Sequence, residues 1–78
     1  MNGIMPTIGR IVLFRDKSYT DIYGLPEYPA IVTRVWDTNV INLTIFIDGL
    51  SPKFESSVVY NEQVSDSDAH CWRWPPHF

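Results

Sequence analysis

From Ile41 to Asp48 apolar and polar side chains alternate. Ile41, Leu43, Ile45 and Ile47 share one face, and Asn42, Thr44, Phe46 and Asp48 share the other. A repeat of two sustained this long predicts a strand, Val40 to Asp48, with one buried face. The run before it, Ala30 to Trp36, is rich in β-branched residues that favour the pleated backbone. On one side it presents Ile31, Thr33 and Val35, and on the other Ala30, Val32, Arg34 and Trp36. Asp37-Thr38-Asn39 reads as the turn between the two strands, and Asp48-Gly49 closes the unit. This hairpin is the strongest pattern in the chain.

The flanking stretches predict three more strands. Residues 1–8 read as an N-terminal tail, with Pro6 opposing regular structure. Gly9 to Phe14 reads as the first strand, apolar enough for burial on both faces or for one buried face and one contact with another chain. Arg15 to Pro29 holds Pro26, Pro29, Gly24 and three tyrosines, and reads as a long irregular loop. Tyr19, Tyr23 and Tyr28 either display recognition chemistry or pack that loop onto the sheet. Lys53 to Tyr60 forms the fourth strand, with Phe54, Ser56, Val58 and Tyr60 on one side. Asn61 to Ala69 is polar and acidic, hence a loop. His70 to Trp74 forms a short fifth strand, stopped by Pro75-Pro76, and residues 75–78 form a C-terminal tail. No helix, repeat or second domain is expected. Five strands with a long first loop and tight later turns predict an all-β single domain, residues 1–78: a small five-stranded SH3-like barrel, whose closure removes sticky edges.

Composition narrows what such a barrel does. A chain of 78 residues buries a thin core, which makes self-association the expected supplement. The single cysteine, Cys71, excludes an internal disulfide. The net charge is −3, with six Lys and Arg against nine Asp and Glu. That balance disfavours extended nucleic acid, which is held by many cations on phosphates, but leaves room for a pocket taking one or two phosphates. A basic leader is absent and no apolar run approaches the ~20 residues that cross a bilayer, so a soluble, intracellular protein with no membrane partner is expected.

Candidate chemistry sits mainly on tryptophan and arginine. Trp72 and Trp74 lie two apart and project to one side of their strand. They either seal the barrel or pack a subunit partner, or else offer a stacking platform for a base. Arg73 points to the opposite side, so it serves such a platform only across a subunit interface or a strand bend. Arg34 and Trp36 share a face, as a cation–π pair or as two members of a ligand site. Asp66, Asp68, His70, Cys71 and His77 are zinc-type side chains, yet they lack ligand spacing, and His70 and Cys71 diverge on a strand. Cys71 has no evident base beside it and reads as a buried thiol. Asn42-Leu43-Thr44 matches a glycosylation acceptor but lies inside a strand. Without a phosphate loop, paired carboxylates or a hydrolase elbow, the chain is expected to be no enzyme and to use no cofactor or metal.

One resemblance spans most of the chain. Gly9 to Val12, then Ala30-Ile31-Val32-Thr33-Arg34-Val35-Trp36, then Asn42-Leu43-Thr44 through Phe46 and Asp48-Gly49, then Trp72-Arg73-Trp74-Pro75, resembles a group of small uncharacterised bacteriophage proteins, with Arg73 where a histidine is common. The resemblance implies a phage origin, hence the host cytoplasm, and an SH3-like barrel; it carries no catalytic residues. The expected function is a non-enzymatic binding protein, assembled as a homo-oligomer that sequesters a nucleotide signal of bacterial immunity. Its interface pockets would combine stacking on Trp36, Trp72, Trp74 or a loop tyrosine with Arg10, Arg34 or Arg73 on phosphate. The alternative is an interaction module that grips a host or virion protein.

Overall fold

The structure is a computed structural model that describes residues 5–62 and 70–76. Its elements in chain order are β1 (Ile11–Arg15), α1 (Lys17–Tyr23), β2 (Tyr28–Val35), β3 (Val40–Ile45), β4 (Lys53–Tyr60) and β5 (Cys71–Arg73). The strands close into a barrel in the order β1-β2-β3-β4-β5. Successive strands are antiparallel except β4 and β5, which run parallel through Val59↔Cys71 and Tyr60↔Trp72. β5 then pairs with β1 through Leu13↔Arg73 and Arg15↔Cys71, which shuts the sheet. The molecule is an all-β, single-domain SH3-like barrel carrying one short helix.

The interior is built by the alternation read from the sequence. Ile41, Leu43 and Ile45 are fully buried, and Ile47 nearly so. Val12, Phe14, Tyr28, Ala30, Val32, Val58 and Trp72 complete the core. In β1, Val12 and Phe14 point into the core, while on the other face Ile11 is 57 % exposed, Leu13 is half-buried and Arg15 is buried. Of the N-terminal tail, Pro6 is buried, and Thr7 accepts a hydrogen bond from the Arg10 amide. Residues 1–4 and 77–78, and most of the acidic loop, lie outside the described residues.

The expected irregular loop contains α1. Asp16 caps the helix, accepting from the Ser18 amide at 2.8 Å. Gly24 ends it at φ 91°, a left-handed conformation that glycine adopts without strain, and donates to the Thr20 carbonyl. Tyr19 and Tyr23, four apart on one helix side, meet edge-to-face at 5.7 Å. Tyr19 and Tyr28 are buried, so these tyrosines pack the segment onto the barrel rather than display it.

Two bulges correct the expected faces. Val32 pairs with Leu43 and Arg34 with Asn42, leaving Thr33 as an extra residue on β2. Val35 therefore turns toward the core, while Arg34 and Trp36 turn outward. On β4, Ser56 and Ser57 together oppose Asn42, with Ser57 at φ 55°. Phe54 and Val58 consequently part company: Val58 is buried and Phe54 is 63 % exposed.

Candidate functional site

Both bulges converge on Asn42, and that convergence builds a hydrogen-bonded polar feature of the barrel wall. The Asn42 Oδ1 accepts from the Ser57 amide at 2.9 Å and from the Trp36 indole Nε1 at 2.9 Å. One acceptor thus fixes the β4 bulge and pins the indole at the start of the β2–β3 turn. Asn42 itself is nearly buried, although it lies on the outer side of β3, because Trp36 lies across it. The Arg34 guanidinium stands 4.1 Å from the centroid of that indole. Trp36 remains 53 % exposed. The guanidinium thus lies stacked over an immobilised indole, and offers its own planar outer face to a ring and its N–H donors to phosphate oxygens.

The remaining candidates separate into three environments. Trp72 is 1 % exposed, a core residue whose Nε1 donates to the Asn39 carbonyl, so it seals the barrel and offers no stacking surface. Trp74 is half-buried, meets Trp72 edge-to-face at 5.3 Å and carries the Arg10 guanidinium 5.1 Å from its ring centroid. Arg73 forms a two-pronged ion pair with Glu27, at 2.5 Å through Nε and 2.8 Å through Nη2. The Arg73 hydrogen bond holds the Glu27 carboxyl below its usual range against the opposing effect of burial, and the same bond raises Arg73. Its fork is thus engaged with a carboxylate of its own chain. Of the six residues expected at a site, the structure brings together Arg34 with Trp36 and Arg10 with Trp74. It withdraws Trp72 into the core and Arg73 onto Glu27.

A second polar cluster, which sequence reasoning missed, lies where α1 meets the barrel. His70 Nδ1 is 2.6 Å from an Asp16 oxygen, and its Nε2 is 3.7 Å from Glu55 Oε1. The Tyr19 hydroxyl donates to Glu55 at 2.7 Å. Burial first, and then the Glu55 carboxylate, push the Tyr19 phenol up. Burial tends to raise Asp16, but its Ser18 and His70 hydrogen bonds outweigh that and lower it. This is a structural clasp joining helix, β4 and the start of β5. The only forward signal was the Asp16-x-Ser18 cap. Of the zinc-type residues, His70 is exposed and Cys71 buried, and Asp66, Asp68 and His77 lie outside the described residues. Among the described residues no group of three or more such side chains is placed to hold a metal ion.

Outside the barrel, registered partners share a face, so cross-strand rows can be traced. One row is Ile11–Ile31–Thr44–Phe54. Nearer the β2–β3 turn runs Trp36–Val40–Val59, joined by the Trp36 amide on the Val40 carbonyl and by Val40↔Val59. Between them lie Arg34 and Asn42. Ile11, Phe54, Trp36 and Val59 are all about half exposed or more. No described helix is long and apolar enough to cross a membrane. Compared with protein-family models, curated proteins and solved structures, the chain matches none of them.

Proposed function

We propose that the protein is a non-enzymatic binding protein that takes a small nucleotide on the Arg34–Trp36 surface and works as a homo-oligomer, sequestering a nucleotide signal. The observation that carries this reading is the Arg34 guanidinium 4.1 Å from an exposed indole that Asn42 holds in place. A base stacks on a guanidinium plane as it does on an aromatic ring, and the same guanidinium meets phosphate oxygens through two parallel N–H donors. The Arg10–Trp74 pair offers the same chemistry in a half-buried form at the same end of the barrel, where β1 begins and β2 ends. A role against bacterial immunity, in a phage-encoded protein acting in the host cytoplasm, leans on the sequence resemblance.

Titration of the purified protein with cyclic dinucleotides and ADP-ribose-type cyclic nucleotides tests the reading. At a hundredfold excess over the dissociation constant, binding adds about 2.7 kcal/mol and raises the melting temperature by roughly 10–20 °C. Trp36→Ala and Arg34→Ala should each weaken binding at least tenfold while the barrel stays folded. No shift with any of these nucleotides at saturation would overturn the reading. A second reading, an interaction module for a host or virion protein, is favoured by Ile22 and Leu25. These lie three apart at the helix and its exit, 71 % and 49 % exposed. Ile22→Asp would then abolish capture of that protein and leave nucleotide binding unchanged.

A further inference from the structure

The chain has four arginines, and they divide into two pairs by environment. Arg73 is paired with Glu27, and Arg15 is buried, where its charge also lowers Glu27. Arg10 and Arg34 are exposed, and among the described residues neither forms an ion pair with a carboxylate. Each instead lies over an indole, Arg10 on Trp74 at 5.1 Å and Arg34 on Trp36 at 4.1 Å. Asp37, beside Trp36, turns its Oδ1 to the Asn39 and Val40 amides. In a chain of net charge −3, two such guanidinium groups at one end of the barrel make a local reversal of sign.

The backbone sets these two residues close together. The Thr7 carbonyl accepts from the Arg10 amide at 3.1 Å, closing a turn in which Gly9 takes φ 94°. The Gly9 amide donates to the Val32 carbonyl at 2.8 Å, and the Val32 amide donates to the Arg10 carbonyl at 2.9 Å. Gly9 and Arg10 thus oppose Val32 together as a glycine bulge, and Arg34 lies two residues further along β2. A cross-strand step of about 5.5 Å and two residues at ~3.3 Å put the two α-carbons on the order of 8 Å apart. Their forks do not converge. Arg10 follows Val32 toward the open end of the barrel, where Trp74 rests on the core residue Trp72. Arg34 stands on the outer wall, where Asn42 holds Trp36. At the edge between them Gly9 carries no side chain, and the space a Cβ would take is open.

We infer that Arg10 and Arg34 hold one ligand between them, and that this ligand carries two phosphate groups separated by a nucleoside. The inference rests on the nucleotide reading above and narrows its ligand class. Each guanidinium is tied to its own indole on a different side of the β2 edge. A single phosphate, or two phosphates bonded to each other, therefore meets only one fork. A dinucleotide, or a nucleoside with phosphates on two of its hydroxyls, spans both. Its phosphates take the N–H donors of Arg10 and Arg34, and a base stacks on the outer plane of Arg34.

Isothermal titration calorimetry of the native chain with cyclic di-AMP, adenosine 3′,5′-bisphosphate, ADP and AMP tests the assignment. At least one of the first two should bind roughly tenfold or more tighter than AMP and ADP. Tighter binding of cyclic di-AMP alone assigns the site to dinucleotides, and of the bisphosphate alone to mononucleotides; either upholds the spacing. Arg10→Gln should bring the spaced-phosphate ligands down to the affinity of AMP, whereas Arg34→Gln should weaken all four. Circular dichroism confirms the folded barrel in both variants. Equal affinity for AMP and both spaced-phosphate ligands overturns the assignment and leaves nucleotide binding standing. So does an advantage that survives Arg10→Gln, or ADP binding as tightly as the spaced ligands. If none of the four binds while an ADP-ribose-type cyclic nucleotide does, the assignment fails and nucleotide binding stands; if nothing binds, both fail.

Discussion

The Asn42 side-chain oxygen serves two donors, the Ser57 amide on β4 and the Trp36 indole at the start of the β2–β3 turn, and the outer wall of the barrel depends on both bonds. Replacing it with alanine removes the acceptor for the part-buried Ser57 amide and releases the Trp36 indole. The expected cost is about 1–2 kcal/mol, or a melting temperature lower by roughly 5–15 °C in a domain of this size. Asn42→Asp keeps an acceptor in place and should lose less than half as much. Thermal unfolding followed by circular dichroism decides between them, and equal losses would show that volume rather than hydrogen bonding matters there. Asn42 also shows where residue-level reading stops. Alternation assigned it correctly to the outer side of its strand, but nothing in a period of two announces that a tryptophan six residues earlier folds back over it.

At the scale of elements, two carboxylates hold the helical end and its flank in place. Asp16 caps α1 and meets His70, and Glu27 pairs with Arg73 of β5. Both are lowered in the folded chain from ordinary values of 3.8 and 4.5. Between the depressed and ordinary values the unfolded chain binds more protons than the folded one, so stability rises with pH there. The contribution is fully present above about pH 5 and is lost as the pH falls through the folded values. Urea midpoints measured from pH 7 down to pH 2.5 should decline below the ordinary carboxylate range, and Asp16→Asn with Glu27→Gln should flatten that decline. An equally steep decline in the double variant would place the acid sensitivity elsewhere. Legibility differs sharply among these elements. β3 and β4 were readable because β-branched runs between turn residues leave little choice. α1 was hidden because seven residues are too few for a helical period to emerge among prolines and tyrosines, although Asp16 and Gly24 stood at its ends as cap residues. The two bulges were invisible for another reason: an inserted residue changes facing only relative to its partner strand, and register is a property of pairs. Arg34 with Trp36 was found because the β2 bulge precedes both residues and moves them together. Phe54 was misplaced because the β4 bulge falls between it and Val58.

For the molecule as a whole, the barrel explains why only part of the aromatic supply is available for binding. Trp72, Tyr28 and Phe14 are consumed by a core that a chain of 78 residues can barely fill, while Trp36 is held outside it. The strand that closes the barrel is also the last in order, and it is only three residues long. Leu13 meets Arg73 across sixty positions of chain, so the joint between β1 and β5 is the most expensive loop closure in the fold. Folding should therefore be slow for so small a protein, in the range of milliseconds to seconds, with closure as its committing step. A chain cut before Cys71 would expose the β1 and β4 edges together and lose Trp72 from the interior. It should remain unfolded or aggregate, as circular dichroism and light scattering would show, and recover when residues 70–76 are supplied as a separate peptide. During synthesis, then, a nascent barrel stays an open sheet until its final strand is released, and its exposure to chaperones and proteases is decided in that interval.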